Sequence, residues 1–195
     1  MINYSLNLDA VGQLTDETFY QLCRRNPDLK FERNRQGEII IMSPTGGETG
    51  NVNAELLIEF GFWNRQYKLG KLFDSSTCFK LPNGANRSPD IAWIRQERWD
   101  NLTPNQKEKF PPISPDFVLE LLSPSDALKE TQIKMQEYQE NGVKLGWLIN
   151  LKTYQVEIYR QTQPKEMLTS PQTLSGENIL PNFTLNYKLF GNVIP

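Results

Sequence analysis

Between residues 48 and 68 apolar side chains return at Val52, Leu56, Phe60 and Trp63, a helical period, so a long helix is expected there. A second helical stretch, residues 126–141, carries Ala127, Leu128, Thr131, Met135 and Tyr138 on one stripe and stops before Gly142, a residue suited to a left-handed C-terminal cap. A shorter helix is expected over residues 15–25, with Phe19, Leu22 and Cys23 on one side. Period two replaces the helical period in residues 29–43, two strand-like runs around Asn34-Arg35-Gln36-Gly37 that read as a hairpin. Short strands are expected at 71–75, 77–81 and 90–95, and a strand pair at 145–150 and 154–159 around Leu151-Lys152-Thr153. Residues 116–122 (DFVLELL) read as the most deeply buried strand, apolar enough to be covered on both faces. Proline-rich residues 101–115 read as a loop, and residues 173–174 and 183–189 as added edge structure. This order of elements indicates one α/β (α+β) domain over residues 1–195, with a mixed β-sheet flanked by helices.

Composition narrows the chemistry. The chain has 195 residues and no histidine, which excludes a Ser-His-Asp triad, a Cys-His pair and any histidine-ligated metal within it. Two cysteines, Cys23 and Cys78, are too few for a four-cysteine zinc site or a disulfide framework, so a reducing compartment is the default. The start, MINYSLNLDA, has neither a basic nor an apolar signal region, and no apolar run approaches the roughly 18 residues of a membrane span. A cytoplasmic protein with no membrane partner is therefore expected. A net charge of −2 argues against tight, nonspecific nucleic-acid binding. Carboxylates, lysines, hydroxyls and hard metal ions remain.

Glu120 stands out, because every other residue from Phe117 to Leu122 is apolar. An unpaired buried carboxylate costs several kcal/mol or takes up a proton, so such a group is kept for a cation, a proton or a partner. The plainer alternative is an exposed strand end with an arginine beside it. Asp90 heads another apolar run, DIAWI, although an acid after Pro89 also suits a turn. Two acids converging from neighbouring strands repel unless a cation lies between them, and oxygen ligands suit Mg²⁺ or Mn²⁺. Lys134 lies at the edge of the second helix's stripe, near Thr131 and Tyr138, where it would balance phosphate charge or simply snorkel. Glu48, at the start of the long helix, serves either as a dipole-complementing acid or as a site acid. Arg24, Arg25, Lys30, Arg33 and Arg35 form the densest basic cluster, suited to phosphates or to a solvated helix end and hairpin.

Acid, acid on an apolar strand, then lysine resembles the PD-(D/E)XK restriction-endonuclease-like superfamily. The segments SPTGGE, SPDIAWI, PDFVLELLSPSD, K-x-x-x-Y-x-x-x-G-V at 134–143, LGWLIN and LSGENILPNFTL look more narrowly like the Uma-two family, small bacterial proteins described as endonucleases. That resemblance implies a restriction-endonuclease-like core, Asp90 and Glu120 as ligands of Mg²⁺ or Mn²⁺, and Glu48 as an additional acid. The superfamily pattern has its lysine two residues after the glutamate, where this chain has Leu122; Lys134 on the following helix takes that role. Relatives often carry a histidine after the helix-start glutamate, and here Thr49 stands there.

The expected activity is Mg²⁺-dependent hydrolysis of DNA phosphodiester bonds, with Asp90, Glu120, Lys134 and Glu48 as the catalytic set. Such nucleases often work as homodimers, since cutting two strands calls for two sites. A nuclease-fold binding module without turnover is the alternative. A carboxylate-pair glycosidase ranks last, because a lysine beside strand-borne acids fits phosphate chemistry better.

Overall fold

In the computed structural model, which describes residues 4–8, 10, 12, 14–123 and 126–187, the strands divide into three sheets rather than one. The chain begins with β1 (Tyr4–Leu6) and α1 (Asp16–Arg25), the latter opened by the Thr15 hydroxyl accepting from Thr18 N–H at 3.1 Å. The expected hairpin is β2 (Lys30–Arg33) and β3 (Ile39–Met42). Then follow α2 (Gly47–Tyr67), β4 (Gly70–Asp74), β5 (Phe79–Lys80), β6 (Asn86–Arg87) and β7 (Ile91–Arg95). Residues 101–115, expected to be a loop, contain part of a helical excursion: α3 (Gln96–Asp100) and α4 (Pro104–Glu108). Thr103 and Gln106 form a reciprocal capping box around Pro104, a helix-start signal strong enough to interrupt the loop.

The second half runs β8 (Phe117–Leu122), α5 (Leu128–Glu140), β9 (Leu145–Asn150), β10 (Gln155–Arg160), β11 (Glu166–Thr169), β12 (Thr173–Ser175) and β13 (Thr184–Asn186). Gly142 closes α5 at φ 93°, a left-handed conformation that a side chain would strain. Of the expected segment 183–189, residues 188 and 189 lie outside the described residues, as do Pro124 and Ser125 between β8 and α5.

Six strands form a mixed sheet in the order β11-β10-β9-β8-β7-β4, in which only β8 and β9 are parallel, joined by the α5 crossover. Both faces of this sheet are covered, which explains the unbroken apolar runs. On one side Val52, Leu56, Phe60 and Trp63 of α2 pack with Phe117, Leu119 and Leu121 and with Phe183 and Leu185 near the β12–β13 ribbon. On the other, Met135 and Tyr138 of α5 pack with Val118, Leu122 and Leu148. The stripe expected on α5 is thus only half buried: Met135 and Tyr138 are enclosed, whereas Ala127 and Leu128 are exposed. The helix's first turn reaches past the core to a cleft that Ala127 lines. A second, five-stranded antiparallel sheet has the order β1-β3-β2-β6-β5. Residues 88–90 carry the chain from its β6 into β7 of the mixed sheet. No helix among the described residues is long and apolar enough to cross a membrane.

Candidate active site

The antiparallel register of β7 and β8 pairs Ile91 with Leu119. One step further, Asp90 stands across from Glu120, and cross-strand neighbours of this kind have Cβ atoms about 4.5–5.5 Å apart on one face. Asp90 is tied in place by Leu121, whose N–H donates to its Oδ2 at 2.7 Å. The face in question is the α5 side, because Glu120 shares its face of β8 with Val118 and Leu122. The two acids therefore meet as expected, at the junction of the two larger sheets.

Above them α5 supplies two donors. Tyr138 donates its hydroxyl to Glu120 Oε1 at 3.0 Å, and Lys134, one turn earlier, brings its Nζ within 2.8 Å of the same oxygen. The Lys134 side chain is only 14% exposed, so its ammonium is enclosed rather than snorkelling to water. Its second partner is Glu32 on β2, at 2.8 Å. Glu32 was not expected here. It also accepts from the Ser88 N–H at 2.8 Å and from Arg87 Nη1 at 3.0 Å, and Arg87 Nε donates to Glu137 at 2.6 Å. One signal for Glu32 was present: it lies opposite Ile40, and three consecutive isoleucines in β3 imply a hairpin covered on both faces.

Three buried or half-buried acids, Asp90, Glu120 and Glu32, thus surround one ammonium, with Arg87 shared between Glu32 and Glu137. The excess negative charge appears in the proton affinities. Burial, with the charges of Asp90 and Glu32, pushes Glu120 up to about 8 despite Lys134. Burial also raises Asp90, opposed by the Leu121 N–H and by Lys134, while Asp126 and Glu32 add to the rise. The flanking carboxylates hold the Lys134 ammonium above its ordinary value against the effect of burial. Glu32, facing Lys134 and Arg87, is lowered although burial opposes this.

Asp90, Glu120 and Lys134 line a cleft of about 340 Å³, bordered also by Glu38, Asp126 and Glu130. Among the described residues, Asp90 Oδ1 and Glu120 Oε2 receive no hydrogen bond. This donor set fits a hard divalent cation: two carboxylates, each with an oxygen to spare, and surplus negative charge. Among the described residues no group of three acids or cysteines is arranged to hold a metal, so water and substrate oxygens would complete the coordination. A larger hollow of about 810 Å³ between α2 and β4 brings together only Arg65, Lys71 and Asp74 as charged residues and lacks converging acids.

Glu48 is not brought to the cleft. It is exposed in the first turn of α2, about 100° round the helix from buried Thr49. Thr49 and Val52 take the inward positions there. The basic cluster also divides: Arg33 is buried, donating to the Leu14 carbonyl at 2.7 Å and pairing with Asp16 at 2.5 Å, whereas Arg24, Arg25, Lys30 and Arg35 are exposed.

The fold and the cleft define a restriction-endonuclease-like chain, with mixed sheet, flanking helices, and two acids and a lysine on one face. The Uma2 family model, whose description reads "Putative restriction endonuclease", matches residues 16–188, and the chain belongs to that family. Among solved structures it is similar to one described as "a putative nuclease belonging to DUF820" from Anabaena variabilis ATCC 29413. The two are 20% identical over 92% of this chain and 98% of that one, with a TM-score of 0.77, a likeness of fold. Comparison with curated proteins finds no match.

Proposed function

We propose that the protein is a divalent-metal-dependent endonuclease that hydrolyses DNA phosphodiester bonds at this cleft. The observation that carries the reading is the placement of Asp90 and Glu120 side by side, with the Lys134 ammonium 2.8 Å from Glu120. Asp90 and Glu120 would hold Mg²⁺ or Mn²⁺. Bound there, such an ion acidifies its water and neutralises phosphate charge. Lys134 stands where negative charge would build on the attacked phosphate, and its carboxylate partners keep it protonated. Tyr138, buried on the same helix, holds the Glu120 carboxylate through the oxygen that Lys134 also contacts. Glu48 has no part in this reading, because it lies outside the cleft.

One observation favours a second reading, a nuclease-fold binding module without turnover: Lys134 is held by Glu32 and Glu120 together, as a closed ion pair would be. Purified protein on plasmid DNA with Mg²⁺ or Mn²⁺ separates the two. Cleavage that stops with chelator and in Glu120→Gln supports the enzyme. DNA binding without any cleavage supports the module.

A further inference from the structure

We propose that Glu32 is a positioning residue of this site, a single carboxylate that sets both the Lys134 ammonium and the turn delivering Asp90. The inference rests on the nuclease reading for its catalytic consequence, but not for its geometry. Glu32 comes from the five-stranded sheet, and 98% of its surface is removed from water. Burying a carboxylate so completely costs several kcal/mol unless its partners compensate.

A plain structural ion pair with Arg87 would use one oxygen, and Oε2 alone serves that contact. Arg87 already has Glu137 at 2.6 Å as well. The other oxygen, Oε1, accepts twice, from Ser88 N–H and from Lys134 Nζ, each at 2.8 Å. Ser88 lies two residues before Asp90, across Pro89, whose ring restricts the backbone. Holding the Ser88 amide therefore fixes where the Asp90 carboxylate enters the cleft. Holding Nζ as well leaves the ammonium shared between two carboxylates, Glu32 and Glu120. It keeps its place when Glu120 turns its charge toward a cation.

Gln and Ala substitutions separate these two duties. Glu32→Gln keeps an acceptor for Ser88 N–H but removes the charge facing Lys134. It is expected to lower the turnover of plasmid cleavage about 10–100-fold, the usual cost of losing an outer partner, with KM for DNA and Mn²⁺ affinity within about threefold of wild type. Glu32→Ala loses the acceptor too and is expected to weaken Mn²⁺ about tenfold further. The decisive comparison is a double-mutant cycle: in a Lys134→Ala background, Glu32→Gln should change turnover less than about twofold. Equal losses in both backgrounds would mean that Glu32 acts only on stability and would overturn the inference, as would wild-type turnover in Glu32→Gln.

If the wild-type protein cleaves nothing, the nuclease reading fails, and side-chain NMR of ¹⁵N-lysine-labelled protein still decides the positioning. A slowly exchanging ammonium signal, absent in Lys134→Ala, should be lost in Glu32→Gln; its survival there would refute the role. Should Glu32→Gln not fold, Glu32→Asp, which keeps the charge but withdraws it by one methylene, must show the same loss of turnover and of the protected signal.

Discussion

Replacing Glu120 with glutamine should change the pH dependence of stability more than stability itself. In the metal-free protein Glu120 ionises near pH 8 instead of its ordinary 4.5, because burial, Asp90 and Glu32 together outweigh Lys134. Between those values the folded protein holds a proton that the unfolded chain has released, so wild-type stability falls as pH rises through the window. At about 1.4 kcal/mol per pH unit, and with both ends of the window rounded by titration, the loss between pH 5 and pH 9 amounts to about 4 kcal/mol. For a chain of this size that corresponds to about 8–16 °C in Tm. Glutamine cannot ionise, and its carbonyl still accepts from Tyr138. The mutant therefore lacks this slope, whatever its stability at any one pH. The assay is thermal or urea unfolding of both proteins in chelator at about pH 5, 7 and 9. Mn²⁺ should restore wild-type stability at the alkaline end and leave the mutant unmoved, since only a bound ligand stabilises. Parallel stability curves for the two proteins would refute the charge accounting of the cleft.

Lys134→Ala should keep fold and metal affinity but lose about 10²–10³ in cleavage rate, whereas Lys129→Ala on the outer face of α5 should be nearly silent; equal rates would remove Lys134 from the chemistry. Glu48→Ala should cleave within about twofold of wild type, and a large loss would return that acid to the site. Gly70→Ala should destabilise the fold by about 1–3 kcal/mol or more in urea titration, because a Cβ there would meet the Ile94 carbonyl and the Trp93 ring. Joining Lys134→Met with Leu122→Lys should recover about tenfold of the cleavage that Lys134→Met alone loses; no recovery would mean that the ammonium must come from α5.

Most of the fold and half of the site were legible in the sequence, for definite reasons. Long periodic segments such as α2 and α5 were readable because a 3.6-residue stripe survives over several turns. The doubly covered strand β8 was readable because six apolar-dominated positions in a row admit few other structures. Two-residue strands such as β6 were not, since a pair like Asn86-Arg87 carries no period at all; its pairing with β2 and β5 comes from tertiary contact. Asp90 and Glu120 were visible as acids in apolar company. Glu32 was hidden because KFER looks like an exposed strand with ordinary polar residues. Only the partner strand and the arrival of α5, roughly 100 residues later, make that position interior. Arg33 misled for the same reason: next to Arg35 it reads as part of a solvated basic patch, yet it is buried over Phe19 with its guanidinium on Asp16.

The place of Lys134 beside Glu120 follows from how β8 and α5 meet. Positions 120 and 122 of a strand share a face, so a lysine two residues beyond the glutamate would project beside it. In this chain Leu122 fills that space and packs with Met135 and Tyr138, making an apolar floor on which α5 can lie close to the sheet. Close packing puts Tyr138 directly over Glu120, and the residue one helical turn earlier is then carried to the same carboxylate. That residue is Lys134. The proposed chemistry asks for an ammonium at a point in space rather than at a point in the sequence, and an apolar Leu122 is part of what lets the helix supply it. The cost of this solution is a longer tether: an ammonium delivered from a helix depends on the seating of α5, where one from the strand would depend on the ladder alone. The second carboxylate, Glu32, also restrains that tether, at 2.8 Å from Nζ. The ion pair between sheet and helix thus belongs with a lysine that α5 supplies.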